Sequence, residues 1–338
     1  MTTKNTMILI SIVIPIYRVE DYLIDCLHSV ANQTLREGLE CILVDDCGGD
    51  NSVRLAQKFF DSYEGNIQFH IISHEKNRGA AAARNTGLDA AQGKYIYFLD
   101  ADDQITPNGL QLLLEKALST QADVTIADFT TIGLSDPFIH LALEDGQILH
   151  DKEVLHAYAL QSWMGVCWNM LYLREYLQRE NLRFVEGLHY EDELWATEIA
   201  CTAHALVAIK EPTYLYHLRQ DSTSSLLRGQ QDISSYYQIM LGMAEHFQRQ
   251  GLIFDIDACL KYYSMQYTFL LTLLQSEPAA PYLAYQHMVS ISPFGKKIFF
   301  RTLSANKRRM FPQIYAILPK PLGYLMLRLQ HKLRTLIR

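Results

Sequence analysis

Short apolar runs alternate with amphipathic stretches along the first 130 residues. The runs have the length and composition of strands buried on both faces, and they occupy residues 10–16, 41–44, 67–72, 95–99 and 124–127. The intervening stretches have apolar residues at helical spacing and predict helices at residues 21–33, 52–60, 79–91 and 108–118. This order predicts an α/β fold with a mostly parallel sheet, right-handed crossovers and helices on both faces.

The pattern changes twice further along the chain. After residue 130 it loosens into mixed segments, with a predicted helix at 194–203 and a predicted strand at 206–209. After residue 225 the spacing is helical, most clearly over residues 232–250 and 256–275. We therefore expect three parts: residues 1–130, 131–225 and a helical region at 226–338.

Composition excludes several classes of protein. The 338 residues are 49% hydrophobic and 20% charged, which is ordinary for a globular chain and unlike disordered or collagen-like chains. The six cysteines are scattered without a CxxC pair, so we expect reduced thiols in a cytoplasmic protein. The apolar run at residues 7–16 is far shorter than the ~20 residues of a membrane span and is not followed by a cleavage site, so export is not expected.

Carboxylates follow the predicted strands where those strands end. Asp45 and Asp46 come after the second strand, and Asp100, Asp102 and Asp103 come after the fourth. The carboxyl ends of parallel strands meet at one edge, so these side chains should converge and repel one another unless a cation joins them. A divalent metal such as Mg²⁺ or Mn²⁺ accounts for the convergence, with a polar strand end closed by an Asx-turn as the alternative.

Phosphate-binding loops of glycine-rich type are missing from the sequence. The first strand-to-helix turn lacks the G-x-G-x-x-G pattern of dinucleotide-binding proteins, and no G-x-x-x-x-G-K-[ST] segment occurs anywhere. A bound diphosphate would have to be neutralised by a metal and by arginine.

Several segments together resemble the family 2 glycosyltransferases of the GT-A fold, which is Rossmann-like. In chain order they are ISIVIPIY from residue 10, ILVDD from 42, NRGAAAARNTG from 77, GKYIYFLDADD from 93 and ED at 191. The resemblance covers roughly residues 8–225. It implies a nucleotide-sugar-binding half at 1–130, an acceptor-binding half at 131–225, and inverting, metal-dependent transfer from a nucleoside diphosphate sugar, with UDP as the expected nucleotide.

The resemblance assigns the donor site to the first half. Asp46 corresponds to the carboxylate that accepts the N–H of a pyrimidine base, and Asp45 is its orienting neighbour or, alternatively, a helix cap. Pro15 and Tyr17 wall the nucleotide. Arg84 lies near the donor diphosphate, with a surface salt bridge as the alternative.

The same resemblance assigns roles to the acidic segment at residues 100–103. Asp102 is the ligand of Mn²⁺ or Mg²⁺, Asp100 points to the ribose or to the water shell of the metal, and Asp103 supports them. The metal would offset the charge that develops on the departing nucleoside diphosphate.

The resemblance places the catalytic base in the second half. Asp192 is the base that takes the proton of the acceptor hydroxyl, with Glu191 as a supporting residue, although an acidic helix start would give the same pattern. His217 resembles a late segment that closes over the diphosphate, or it is a structural histidine. A single displacement by one base predicts inversion at the anomeric carbon.

The C-terminal region has a strong excess of positive charge. Residues 278–338 contain eleven Lys or Arg and no Asp or Glu, whereas residues 1–277 contain 19 basic and 37 acidic side chains. Apolar residues alternate with these bases, which predicts binding to an anionic membrane surface on the inner face of the cytoplasmic membrane. Pairing with the acidic body is the alternative, and nucleic acid is not expected as a partner.

The sequence thus predicts a glycosyltransferase of surface-polysaccharide type that acts on a glycan or lipid-linked saccharide acceptor. Two alternatives differ in class. One is a phosphotransferase of the haloacid dehalogenase type, whose nucleophile would be Asp100, although its position after the fourth strand is unusual for that class. The other is a nucleotide-sugar-binding protein without turnover.

Overall fold

The strands form one sheet, and the first strand in the chain is a buried apolar segment near the N-terminus. The computed structural model describes residues 7–133, 140–218, 230–275 and 280–337. In chain order the strands are β1 Ile10–Ile16, β2 Leu39–Asp45, β3 Gln68–Ser73, β4 Tyr95–Phe98, β5 Gln104–Ile105, β6 Val124–Ile132, β7 Ile148–His150, β8 Met170–Leu173 and β9 Ala205–His217.

The helices lie between these strands and then continue without strands to the C-terminus. In chain order they are α1 Leu23–Ala31, α2 Ser52–Ser62, α3 Ala80–Ala90, α4 Gly109–Thr120, α5 Lys152–Ala159, α6 Arg174–Arg179, α7 Glu191–Thr202, α8 Gln230–Arg249, α9 Ile256–Gln275, α10 Pro281–Ser290, α11 Lys296–Ala305, α12 Lys307–Met310 and α13 Lys320–Ile337. Two 3₁₀ turns occupy Leu252–Phe254 and Phe311–Ala316.

The sheet has a parallel half and a mixed half. Its order is β3-β2-β1-β4-β8-β6-β9-β5, with β7 paired to β9. Strands β3, β2, β1 and β4 are parallel, as the alternation of elements predicts, and β8 lies antiparallel between β4 and β6. The predicted fold class, a mostly parallel mixed sheet followed by a helical C-terminal region, is confirmed.

The alternation of side chains along β1 explains its continuous apolar run. Ile10, Ile12 and Ile14 belong to the core on one face of the sheet, and Val13 belongs to the core on the other face. All four side chains are fully buried. Because helices cover both faces, neither set of residues can be polar, and the strand reads as an unbroken apolar segment.

The predicted division at residue 130 falls within β6, which pairs with β9 in the same sheet. The division at residue 225 lies outside the described residues, so the three-part organisation stays a prediction. The C-terminal helices pack around α9, which contacts α5, α8 and α11. Among the helices that the structure describes, none is both long enough and apolar enough to cross a membrane.

Candidate active site

Three neighbouring parallel strands end at the same edge of the sheet. Ile16 at the end of β1 lies opposite Asp45 at the end of β2, and Val13 in β1 lies opposite Phe98 at the end of β4. Asp100 therefore follows β4 close to the end of β1. The acidic residues that follow β2 and β4 therefore lie at one edge of the sheet, as the sequence predicts.

Arg84 connects this edge to the second half of the chain. It lies on α3, whose small residues let the helix approach β1 closely: a Cβ added at Gly87 would lie 2.2 Å from Val13 Cγ1. The Arg84 side chain is buried and donates from one terminal nitrogen to Asp100 Oδ1 at 2.8 Å and from the other to Glu191 Oε1 at 2.6 Å. The surface salt bridge considered as an alternative is therefore wrong, because this double ion pair is interior.

Asp192, the candidate base, lies in the first turn of α7 together with two other acidic residues. Glu191, Asp192 and Glu193 form its first turn, where the helix dipole favours negative charge. Burial, and then the charges of Glu191 and Glu193, raise the pKa of Asp192 well above its usual range, while Arg84 acts in the opposite direction. A carboxylate with a raised pKa is suited to accept a proton near neutral pH.

Asp46 has partners within the protein that occupy both of its oxygens. It is 2% exposed. Its Oδ1 accepts the backbone N–H of Arg78 at 2.8 Å and pairs with His74 Nδ1 at 2.7 Å, and its Oδ2 accepts the N–H of Gly79 at 2.7 Å. Asp46 therefore fixes the turn that precedes α3, and its predicted contact with a base stays a prediction.

Asp45, by contrast, is half-buried at the end of β2. Its Oδ1 accepts the backbone N–H of Gly48 at 3.3 Å, so it holds a turn rather than capping α2, which begins at Ser52. Gly48 also carries the carbonyl that accepts from Arg18 Nε at 3.4 Å. The turns after β1 and β2 are thus joined beside Asp45.

The first of these turns contains the predicted nucleotide walls. Pro15 is half-buried within β1, and Tyr17 directly after the strand is 43% exposed. Arg18 has a left-handed backbone, with φ of 54°, and its guanidinium lies 5.2 Å from the centre of the Tyr17 ring. An exposed aromatic ring with a cation beside it is available to a planar, negatively charged ligand.

Asp103 is tied to β9 rather than exposed to solvent. Its Oδ2 accepts the hydroxyl of Tyr214 at 2.8 Å, and its Oδ1 accepts the backbone N–H of His217 at 2.8 Å. Burial and the nearby Asp100 raise the pKa of Asp103 to about 8. Tyr214 also accepts the N–H of Asp100 at 3.3 Å, so one tyrosine holds both ends of the acidic segment.

Tyr214 is a residue of the site that the sequence did not predict. The available signal was a tyrosine in the same predicted late segment as His217, and the partner across the sheet could not be read from the sequence. His217 contributes its backbone here, while its ring Nε2 is buried without a hydrogen-bond partner in the part of the chain that the structure describes. Residues 219–222 of that segment lie outside the described residues.

The carboxylates at residues 100–102 are suited to bind a divalent metal that is shared with a substrate. In the described ranges, no group of three or more His, Cys, Asp or Glu side chains is arranged to hold a metal ion. Mg²⁺ or Mn²⁺ that is shared with a substrate diphosphate needs only one or two protein carboxylates. Asp100 and Asp102 are half-buried and supply such hard oxygens, so the residues fit a metal that binds together with a diphosphate.

Comparison with known proteins identifies the family. The model of Glycosyl transferase family 2 matches residues 11–180, which is half of the chain. The uncharacterized glycosyltransferase EpsJ of Bacillus subtilis is 30% identical over 72% of this chain and 72% of its own length. The chain belongs to glycosyl transferase family 2.

Two further comparisons extend this assignment. The uncharacterized glycosyltransferase YibD of Escherichia coli is 31% identical over 65% of this chain, which spans 64% of the length of YibD. The structure of Staphylococcus aureus TarS residues 1–349 in complex with UDP-GlcNAc is similar to this chain, with a TM-score of 0.77 and 17% sequence identity. The match covers 96% of this chain and 91% of the TarS chain. This structural likeness shows the fold. Family membership removes the haloacid dehalogenase alternative.

Proposed function

We propose that the protein transfers a sugar from a nucleoside diphosphate sugar, UDP-linked, to a glycan or lipid-linked saccharide, with inversion at the anomeric carbon. The observation that carries this proposal is the Arg84 bridge, because it holds Asp100 at the strand edge and Glu191 beside Asp192 in one site. The family and the presence of UDP-GlcNAc in the TarS structure support the donor class.

The nucleotide would lie on the exposed face of the turns after β1 and β2. Tyr17 would stack on the base, Pro15 would close one side, and Asp45 or Asp46 would accept the N–H of the base. We favour Asp45, because it is half-buried whereas the oxygens of Asp46 already accept hydrogen bonds from the turn before α3. Arg84 would hold Asp100 toward the ribose and supply one positive charge near the diphosphate.

Asp102 would hold Mn²⁺ or Mg²⁺, with Asp100 near the ribose or the water shell of the metal. When bound, the metal would supply positive charge to the departing diphosphate. Asp103 would keep the segment in place through its bonds to β9. His217, whose backbone makes one of these bonds, would close the diphosphate side of the site.

Asp192 would act as the base. As the acceptor oxygen bonds to the anomeric carbon, its proton moves to the Asp192 carboxylate, and the bond from that carbon to the diphosphate oxygen breaks with its electron pair on the nucleoside diphosphate. Attack from the face opposite the leaving group inverts the configuration. Glu191 would support the base by fixing the first turn of α7 against Arg84.

The test compares two variants for UDP release from UDP-GlcNAc, UDP-glucose and UDP-galactose in the presence of Mn²⁺. We expect Asp192→Asn to bind UDP with the wild-type Kd by calorimetry but to release UDP about 10²- to 10⁴-fold more slowly. The exposed Glu175→Gln, at the start of α6, is the control and should match wild type.

A wild-type rate in Asp192→Asn would remove Asp192 as the base. Binding of UDP by wild type without release from any donor, even with saccharide acceptors added, would favour the non-catalytic binding protein.

We also propose that the basic C-terminal region binds an anionic membrane surface. Helix α13 has leucines three or four residues apart that are each more than half exposed, namely Leu322, Leu325, Leu329 and Leu333. In the described part of the chain, no Lys or Arg of this region pairs with a carboxylate of the body. Exposed leucines beside unneutralised bases support a cytoplasmic protein held peripherally at a membrane, where a lipid-linked acceptor would lie.

A further inference from the structure

A lysine from the C-terminal helical region is buried beside the acidic turn of α7. Lys261 lies on α9 and is 7% exposed. Lysine is almost never fully buried unless its charge is paired, because removing the ammonium from water is costly. The family model ends at residue 180, so neither α7 nor α9 lies in the part of the chain that it covers.

Lys261 completes a triangle of side chains from three helices. Its Nζ lies 3.6 Å from Glu193 Oε2 on α7 and 3.7 Å from the centre of the Tyr158 ring on α5. The Tyr158 hydroxyl donates to the same Glu193 Oε2 at 3.2 Å. An ammonium over an aromatic face is attracted to the ring, so both partners of Lys261 hold it in place.

Arg84 and Lys261 divide the acidic residues around Asp192 between them. The negative neighbours of Asp192 are Glu191 and Glu193 on its own helix and Asp100 after β4. Arg84 binds Asp100 and Glu191, which leaves Glu193 to Lys261. Within the described residues, the base thus has a cation from the nucleotide half on one side and a cation from the C-terminal region on the other.

We propose that Lys261 is a positioning residue for the proposed reaction: it neutralises Glu193 and thereby keeps the adjacent Asp192 able to accept a proton at neutral pH. This inference rests on the proposed function, in which Asp192 is the base. It makes the C-terminal helical region part of the active site as well as a surface for membranes. Residue 261 then sets the pH range of turnover although it touches neither donor nor acceptor.

The electrostatics agree with the geometry. The pKa of Lys261 is lowered overall because burial is the largest influence, and the charges of Glu193 and Asp192 act in the opposite direction, so the lysine and the base interact. Loss of the ammonium would leave Glu193 uncompensated and make the Asp192 anion less favourable, which raises the pKa of Asp192. Loss of the Glu193 charge would have the opposite effect.

The experiment measures kcat for UDP release against pH for Lys261→Met and Glu193→Gln, on the full chain. The acidic limb of the profile should move to higher pH in Lys261→Met and to lower pH in Glu193→Gln, each by about half a unit to one unit. The Kd of UDP by calorimetry should stay within about twofold of wild type in both variants, because neither residue lies at the nucleotide edge.

The control is Gln266→Met on the same helix. Gln266 is fully buried and donates to the carbonyl of Met288, so its loss should lower stability as a purely structural change does. We expect its pH profile to keep the wild-type position. Opposite shifts in the two test variants, with none in the control, are not produced by general loosening of α9.

Three outcomes overturn the inference. An acidic limb that stays in place in both variants, while wild type turns over, overturns it alone and leaves the proposed function intact. Wild type that binds UDP without turnover overturns both. If Lys261→Met does not fold, Glu193→Gln decides: a shift to lower pH supports the inference, and an unmoved limb overturns it.

Discussion

The Arg84 guanidinium donates to Glu191 Oε1 at 2.6 Å, joining residues 107 positions apart in the sequence. The next residue of α3, Asn85, also binds a residue that is distant in the sequence. Asn85 Nδ2 donates to the carbonyl of Phe184 at 2.9 Å, and Asn85 Oδ1 accepts the N–H of Phe184 at 3.0 Å. Two consecutive residues of α3 therefore fix the segment that leads into α7, and the position of the proposed base depends on this helix.

Replacement of Arg84 by methionine should destabilise the fold and abolish turnover. It leaves Asp100 and Glu191 without their shared cation in a buried site, which costs about 3 kcal/mol of unfolding free energy. Urea denaturation measures this loss, and UDP release measures activity. The control, Arg183→Met, removes an exposed pair with Asp89 and should cost less than about 1 kcal/mol.

Equal stability losses in the two arginine variants would show that the Arg84 bridge contributes no more than a surface ion pair. Wild-type turnover in Arg84→Met would show that the Arg84 bridge is not needed for activity.

The strand edge was predictable because it depends on local pattern. The run at residues 10–16 matches β1 residue for residue, and the carboxylates after β2 and β4 follow from the parallel order. Which of Asp45 and Asp46 faces inward was not predictable, because the chain turns directly after the strand and the partners of Asp46 come from the turn before α3. Local sequence does not encode such contacts.

The second half of the sheet was less predictable for a physical reason. The sequence at 210–212, Lys-Glu-Pro, is typical of a strand end, yet β9 continues to His217. The continuation depends on pairing with β6, which has register shifts beside Asp128 that accommodate the interruption. Strand β8 is only four residues long and lies in an apolar stretch without alternation, so its antiparallel position had no sequence signal.

Separate asparagine substitutions at Asp45 and Asp46 should have different effects. Asp45→Asn should weaken UDP binding by about tenfold with little change in stability, because its one amide oxygen accepts the N–H of Gly48 and its amide nitrogen cannot accept the N–H of the base. Asp46→Asn should lower the unfolding free energy by about 1–3 kcal/mol, because one amide oxygen cannot replace both carboxylate oxygens at Arg78 and Gly79. Calorimetry with UDP and urea denaturation measure the two effects. The reverse pattern would indicate that Asp46, and not Asp45, binds the nucleotide base.

The leucine face of α13 should determine membrane binding. The double substitution Leu325→Glu and Leu329→Glu should reduce co-sedimentation with phosphatidylglycerol vesicles at least about tenfold, because it removes two apolar anchors and adds negative charge. Leu118→Glu, at an exposed position of α4, is the matched control. Binding that survives the double substitution, or that is equally strong to phosphatidylcholine vesicles, would contradict the proposal.

Glu198 and His246 should make opposite contributions to the pH dependence of stability. They face each other between α7 and α8, with His246 Nδ1 3.9 Å from Glu198 Oε1. Burial raises the pKa of Glu198 from 4.5 to about 7 and lowers the pKa of His246 from 6.5 to about 4, and Arg249 lowers both. The folded state therefore retains the Glu198 proton and excludes the His246 proton.

The sign of each contribution follows from proton counting. Between pH 4.5 and about 7 the folded state binds the Glu198 proton that the unfolded state has lost, so this group makes stability fall as pH rises. Between about pH 4 and 6.5 the unfolded state binds the His246 proton, so this group makes stability rise with pH. The two contributions oppose each other in the wild type over their shared range.

Single substitutions should separate these slopes. Glu198→Gln leaves the histidine contribution, so its stability should gain as pH rises from 4.5 to 6.5, by up to about 1.4 kcal/mol per pH unit relative to wild type. His246→Gln leaves the glutamate contribution and should lose stability over the same range. Urea midpoints at half-unit pH intervals measure both, and parallel curves for the two variants would show that neither group changes its proton affinity on folding.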